Sequence, residues 1–291
     1  MRTLINVCGP SFSGTTILDL MLGNASNAFA CGEIVNWYRP RYEDHRLCNC
    51  SCGAPGCDLQ QLVQQVPERR FHEAVYERFG VEVIADSSKR FPWIIDTHRW
   101  ARKHDFRVVN LLLWKDPLAQ GLSHWKRGKP LLNARLHFLR YYQRFLTIGV
   151  PWLGIDLEHL TESPAEVLKQ ICDAIGIEYT PGRERFWEKQ HHQLFGNPQV
   201  RSELGQNKQV RQAESYPADY LAEVERCGLK RFEDETAGVI ALLKQNTIGM
   251  TGRRLRLDSA DAPRRVPLWY YAHKLKDHLR PLFPLRPGHP M

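Results

Sequence analysis

Ser13-Gly14-Thr15-Thr16 is the first stretch in which residue type and spacing suggest chemistry. Gly9 and Gly14 bracket a short loop able to turn several backbone N–H groups toward one anion. Leu4-Ile5-Asn6-Val7 before it reads as a buried strand, and Ile17, Leu18, Leu20, Met21 and Leu22 after it read as the apolar side of a helix. The N-terminus of that helix adds partial positive charge behind the loop, and Thr15 and Thr16 put hydroxyl donors there. Together these residues make a phosphate cradle.

Further polar residues gather where predicted strands end. Glu33 is the first acid after Asp19, which falls within the first helix. A glutamate just past that helix can fold back beside the loop; its plainer use is a local cap or salt bridge. Residues 81–85 read as a second strand and run into Asp86-Ser87-Ser88-Lys89-Arg90. The carboxyl ends of strands are where open α/β sheets bind ligands, although a lysine in such a turn can equally be solvated. Residues 106–114 are apolar enough for a central parallel strand. They deliver Lys115-Asp116-Pro117, with proline in the first turn of a helix, and Ser123 follows eight residues after Lys115, about two helical turns on.

Four cysteines, Cys48, Cys50, Cys52 and Cys57, fall within ten residues. Their C-x-C-x-C-x4-C spacing differs from the paired C-x2-C of zinc knuckles. Free thiols or a disulfide are expected, with less than stoichiometric zinc and no metal ligand assigned; a structural metal stands as the alternative. His191 and His192 are adjacent, an arrangement ill suited to sharing an ion, and are expected to be loop residues.

A scaffold must hold these groups. At 291 residues, with 43% hydrophobic and 25% charged residues and no low-complexity run, the chain can bury a sizeable core. Predicted strands at 4–7, 81–85, 106–114 and 150–157 alternate with helices at 59–79, 93–104, 131–148 and 165–175. That alternation predicts an α/β fold with a central parallel β-sheet, helices on both faces and a P-loop-like phosphate-binding loop after the first strand. Phe138, Tyr141, Tyr142 and Phe145 share one side of the 131–148 helix and read as core, with a substrate-pocket wall as the alternative. Helices at 217–227 and 231–246 complete a domain over residues 1–250.

Nine of the 40 Lys/Arg and three of the 32 acids lie in residues 251–291, which leaves the first 250 residues at +2 of the total +8. The basic character belongs to the tail, and nucleic acid is not an expected partner. In that tail Leu268, Tyr271, Leu275 and Leu279 fall at helical spacing beside basic residues. They predict an amphipathic helix, either packed on the domain or in peripheral contact with the inner face of a membrane. No apolar stretch reaches the ~20 residues that span a bilayer. The N-terminus runs from Arg2 directly into a strand without a signal-peptide h-region. A cytoplasmic location with reduced cysteines is expected.

The string Ser13-Gly14-Thr15-Thr16-x-Leu18 resembles the 5′-phosphosulfate loop of sulfotransferases. Three later strings stand in the order found in bacterial members of that family: Asp86-Ser87-Ser88-Lys89, Lys115-Asp116-Pro117 with Ser123, and Gly196-Asn197-Pro198 with Arg201. The resemblance covers residues 8–201 and implies transfer of a sulfuryl group from 3′-phosphoadenosine-5′-phosphosulfate (PAPS), without a required metal. The acceptor is then a hydroxyl or amine of a small molecule, lipid or carbohydrate. Ser13, Gly14, Thr15 and Thr16 are implied to hold the 5′-phosphosulfate. Lys115 and Ser123 are implied to hold the 3′-phosphate, with lysine in place of the family's arginine and therefore without its bidentate geometry. Arg201 is implied to belong to a late basic loop over the nucleotide, one residue displaced from the family pattern, and Glu33 to be the base. The family commonly carries Lys or Arg just before Ser-Gly-Thr, where this chain has Phe12; Lys89 is the candidate replacement. Two other readings stand beside this one. A P-loop kinase or NTPase needs a Gly-Lys-Ser/Thr ending, where this chain has Gly14-Thr15-Thr16. A non-catalytic, membrane-associated binding module would be built around the tail.

Overall fold

Apolar runs without polar alternation become strands covered on both faces, and five segments do so: β1 (Thr3–Cys8), β2 (Ala28–Ala30), β3 (Val83–Asp86), β4 (Arg107–Trp114) and β5 (Leu153–Asp156). In the computed structural model, which describes residues 1–46, 50–202, 204, 215–250 and 267–279, they form one sheet ordered β2-β3-β1-β4-β5. Every pairing is parallel. The helices are α1 (Thr15–Gly23), α2 (Val35–Tyr38), α3 (Asp58–Gln65), α4 (Phe71–Phe79), α5 (Phe91–Ala101), α6 (Pro117–Trp125), α7 (Leu131–Thr147), α8 (Leu157–Glu162), α9 (Pro164–Ile175), α10 (Pro198–Ser202), α11 (Ala218–Arg226), α12 (Leu229–Gln245) and α13 (Leu268–Leu279).

Side chains alternate across the sheet. Ile5, Val7, Val109, Leu111 and Leu113 pack with Leu18 and Leu22 of α1 and Leu168 and Ile171 of α9. On the opposite face Leu4, Ile84 and Val108 meet Val75 of α4 and Trp93 of α5, while Cys8, Leu112 and Trp114 meet Phe138, Tyr142 and Phe145 of α7. Asn6 sits on that second face, and its Nδ2 donates to Asn110 Oδ1 (2.9 Å) and Thr97 Oγ1 (3.0 Å), so the buried amides are paired.

Because β3, β1 and β4 are neighbours, their carboxyl ends bring three connections to one edge: residues 9–14, 87–90 and 115–116. That edge is the natural ligand-binding position of such a sheet.

The sequence differs from the structure in three elements. Four strands are expected and five form; β2 has only three residues and carries no readable alternation. The helix expected over 59–79 divides into α3 and α4, since Val66 before Pro67 is extended (φ −110°, ψ 130°), as the proline ring demands. In α13 the stripe of Leu268, Tyr271 and Leu275 is exposed. The opposite side docks: the buried Tyr270 hydroxyl donates to Asp96 and accepts from Arg99 of α5, and Lys274 Nζ lies 2.7 Å from Asp96 Oδ2. Leu279 falls at the end of α13, and residues 251–266 and 280–291 lie outside the described residues. No helix among the described residues is long and apolar enough to cross a membrane.

Candidate functional site

The connection from β1 to α1 is a tight loop with two backbone requirements. Gly9 has φ +153°, and a Cβ there would stand 2.4 Å from Ser13 Oγ. Gly14, the N-cap of α1, has φ +87° and no room beside Leu157 Cδ1, 2.4 Å from where its Cβ would be. Phe12 adopts φ +68° without being glycine, a conformation that costs an ordinary side chain about 1–3 kcal/mol and clusters at functional sites. Ser13 Oγ donates to Pro10 O (2.7 Å) and so shapes the loop from within. No side chain caps the N-terminus of α1; its first-turn N–H groups, including those of Thr15 and Thr16, lack intrahelical acceptors by position.

Two further elements hold this loop. Tyr141 Oη of α7 accepts from Gly9 N (2.9 Å) and donates to Lys89 O (3.1 Å), tying the loop to the β3–α5 connection. Tyr141 lies among the core aromatics, as its spacing predicts, but its hydroxyl reaches the site. Sequence periodicity places a ring and says nothing of that bond.

Lys89 and Glu33 meet at the loop. Lys89 Nζ donates to Thr15 Oγ1 (2.9 Å) and lies 2.8 Å from Glu33 Oε1. Asp86 explains why Lys89 points there: its Oδ1 accepts from Ser88 N (2.8 Å), and its Oδ2 accepts from Trp93 Nε1 (2.8 Å) and lies 2.8 Å from His72 Nε2. The turn after β3 is thereby clamped. On the other side Glu33 Oε2 accepts from Asn36 Nδ2 (3.2 Å), and Val35 N donates to Ser88 Oγ (3.0 Å).

A second cationic group forms at the end of β4. Lys115 Nζ donates to Ser123 Oγ at 2.7 Å, and Lys115 is only 8% exposed. Burial first, and then the Arg127 cation, lower its pKa to about 7, against the pull of Asp116. Arg127 lies 4.3 Å and Lys129 4.9 Å from the centroid of the Phe12 ring, and the His124 ring meets the same phenyl edge-on at 5.0 Å. Burial and the surrounding cations lower the His124 pKa to about 4, so the imidazole is neutral, and both its ring nitrogens are buried without a hydrogen-bond partner. In the sequence Arg127 and Lys129 show only as a basic run, Lys126-Arg127-Gly128-Lys129, with no spacing that ties them to Phe12.

The segment 191–197 forms a further wall. Asn197 N donates to Thr16 Oγ1 (3.0 Å), and Glu33 N donates to Leu194 O (3.0 Å) beside the Gly32–Leu194 bridge. Gln193 Nε2 donates to Asp19 Oδ2, which also accepts from Gly32 N (3.1 Å). Burial raises the Asp19 pKa well above the usual carboxylate range in spite of the Gln193 hydrogen bond. Arg201 sits in α10 with its N–H on Asn197 O (3.0 Å). The segment also brings His192 to the cysteines: Cys50, Cys52, Cys57 and His192 place their ligand atoms within 4.8 Å of one another. Cys48 lies outside the described residues.

No protein-family model and no curated protein matches the chain. Among solved structures it is similar to a sulfotransferase domain from the curacin biosynthetic pathway, with 14% identity over 78% of this chain and 97% of that one, TM-score 0.48. It is also similar to the sulfotransferase domain of an olefin synthase from Synechococcus PCC 7002, with 16% identity over 78% and 94% of the two chains, TM-score 0.47. A third similar structure is a sulfotransferase from Alicyclobacillus acidocaldarius, with 14% identity over 84% and 96%, TM-score 0.43. At these values the function has to be argued from the side chains themselves.

Proposed function

We propose that the chain is a sulfotransferase that moves a sulfuryl group from PAPS to a hydroxyl or amine of a small-molecule, lipid or carbohydrate acceptor. The observation that carries this reading is Lys89 Nζ held between Thr15 Oγ1 and Glu33 Oε1, 2.9 and 2.8 Å away. It puts a cation and a carboxylate together at a phosphate-type loop that lacks the lysine of an NTPase.

The residues fit a donor with two separate anionic ends. One end suits the loop, where α1 offers its open N-terminus and Thr15 and Thr16 keep hydroxyl protons to donate. The other suits Lys115 and Ser123, with Arg127 and Lys129 alongside. His124 adds two buried ring nitrogens that await a partner. Arg201 is assigned to the same nucleotide by the order of motifs.

When bound, the donor supplies the sulfuryl group and a bisphosphate leaving group. Lys89 and the loop N–H groups then stabilise negative charge at the 5′ end, the kind of preorganised electrostatic help that dominates such transfers. Glu33 takes the proton of the acceptor hydroxyl. Lys115 and Ser123 orient the donor through its 3′-phosphate.

The test is a thermal-shift comparison followed by turnover. Adenosine 3′,5′-bisphosphate at ~100 times its Kd should stabilise the protein by about 2.7 kcal/mol, and ATP with magnesium far less. Labelled sulfuryl transfer from PAPS to a panel of sugars, lipids and phenols then identifies the acceptor. Stronger stabilisation by ATP with magnesium would hand the site to the kinase reading.

A further inference from the structure

We propose that Cys50, Cys52, Cys57 and His192 bind one zinc ion, and that this ion pins the 191–197 segment against the Gly32–Glu33 turn. The inference is independent of the function proposed above.

The four ligand atoms lie close enough for a tetrahedral site to form with a small contraction. With Zn–S near 2.3 Å and Zn–N near 2.0–2.1 Å, tetrahedral ligand atoms stand roughly 3.5–3.8 Å apart. Here Cys50 Sγ and His192 Nδ1 are 3.8 Å apart, and all four ligand atoms lie within 4.8 Å of one another. All three thiols are free. A single disulfide would use two of them and leave the third facing the bond.

The surroundings are built to bring these side chains together. Gly53 and Gly56 hold left-handed conformations (φ +71° and +63°), which fold the loop back so that Cys57, the N-cap of α3, returns toward Cys50. Ser51 then latches that loop to the second segment. Its N–H donates to Gln193 O (3.0 Å), its Oγ accepts from Gln193 N (2.9 Å), and its hydroxyl donates to His191 O (2.6 Å). His192 is stacked 10° from parallel with Phe29, ring centroids 6.5 Å apart. Cys50 and Cys57 are buried in the cluster around Phe29 and Phe71.

Three thiolates and one imidazole match zinc in chemistry and in geometry. Four protein ligands fill the coordination sphere, so the ion is structural and leaves no position for substrate. The cysteine spacing by itself suggests no metal because the fourth candidate ligand, His192, comes from a segment about 135 residues beyond Cys57. No local spacing reports it.

What the ion would brace follows from the chain beyond His192. Gln193 bonds Asp19, Leu194 O accepts from Glu33 N, and Asn197 N donates to Thr16 Oγ1. The coordinated residue is therefore the anchor of a wall that touches the loop, the turn carrying Glu33 and the first turn of α1.

The experiment needs no knowledge of substrate. Full-length protein purified reduced and without chelator should contain about one zinc per chain by elemental analysis. Metal-free protein reconstituted with cobalt should show tetrahedral ligand-field bands and thiolate-to-cobalt charge transfer. Cys50→Ser and His192→Ala should lose the metal and melt earlier than wild type, while His192→Cys and Cys48→Ser should keep both metal and melting temperature. The proposal is overturned by wild-type protein with below about 0.2 zinc per chain whose melting temperature neither zinc nor cobalt raises. Stoichiometric iron in place of zinc would overturn it too, as would zinc loss in Cys48→Ser equal to that in Cys50→Ser.

Discussion

Lys89 Nζ lies 2.8 Å from Glu33 Oε1 while donating to Thr15 Oγ1, so the ammonium is shared between a carboxylate and the first residue of α1. On the function proposed here, an anion in the loop would compete with Glu33 for that ammonium. If Lys89 turned toward such an anion, Glu33 would keep its bond from Asn36 Nδ2.

This coupling separates two variants. Glu33→Gln keeps the size and an oxygen for Lys89 but cannot take a proton, so kcat should fall by ~10²–10⁴ with bisphosphate affinity nearly unchanged. Lys89→Met keeps the stem and removes the charge, and should lower both kcat and bisphosphate affinity. Steady-state rates beside calorimetric titration distinguish the two. A Glu33→Gln enzyme running near the wild-type rate removes Glu33 from the chemistry.

Lys115 gives the site a pH signature. Burial beside Arg127 holds its pKa near 7, below the usual lysine range. A phosphate dianion next to Nζ favours the charged form and so raises that pKa on binding. Affinity is then fully present below the free-protein pKa and declines as pH rises above about 7, with proton uptake accompanying binding in that window. Below about 6 the phosphate itself protonates, so affinity should peak between the two. Lys115→Ala should flatten the alkaline limb and cost about 1.5–3 kcal/mol for adenosine 3′,5′-bisphosphate, yet little for adenosine 5′-phosphosulfate, which has no 3′-phosphate. Equal losses for both ligands place Lys115 elsewhere.

Much of this architecture was legible in the sequence because it is local or periodic. The strand, loop and helix over residues 3–23 announce themselves by apolar runs around glycines, and parallel neighbours bring Lys89 and Lys115 to the same edge as Thr15. Contacts made by irregular backbone over long separations were not legible. The bridge between Gly32 and Leu194 has no pattern in either stretch, nor do the Ser51 bonds to His191 and Gln193 that bring His192 to the cysteines. Tyr141 illustrates the intermediate case, where spacing gave the buried ring and not the hydroxyl that links Gly9 to Lys89.

That hydroxyl is itself testable. Tyr141→Phe keeps the ring but strands the buried Gly9 N–H, a loss of about 1–3 kcal/mol. It also frees the Lys89 carbonyl. Denaturant unfolding should show the drop in stability, and KM for the donor should rise more than kcat falls, since the loop is loosened and no reacting group is removed. Unchanged stability would mean that water replaces the hydroxyl without cost.

Phe12 carries the last prediction, because its surroundings bear on what the family pattern implies. The pattern places a cation at this position and suggests that Phe12→Lys would rescue Lys89→Met. In the structure the Phe12 ring is already faced by Arg127 at 4.3 Å and Lys129 at 4.9 Å. A lysine at 12 would bring a third positive charge into that group and abandon the aromatic platform, each contact of which is worth about 0.5–1 kcal/mol or more when desolvated. Rescue by Phe12→Lys should therefore be weak. Phe12→Gly isolates the platform from the backbone: glycine accepts φ +68° without strain, a relief of the same order as the lost ring contacts. Its melting temperature should stay close to that of wild type. Bisphosphate affinity should fall several-fold because Arg127 and Lys129 lose the surface that orders them, and Arg127→Ala should fall at least ~10-fold, as expected for a charge-assisted contact. If Phe12→Gly binds as tightly as wild type while Arg127→Ala does not, the arginine acts without its platform. If both bind normally, neither Arg127 nor its platform takes part in holding the bisphosphate.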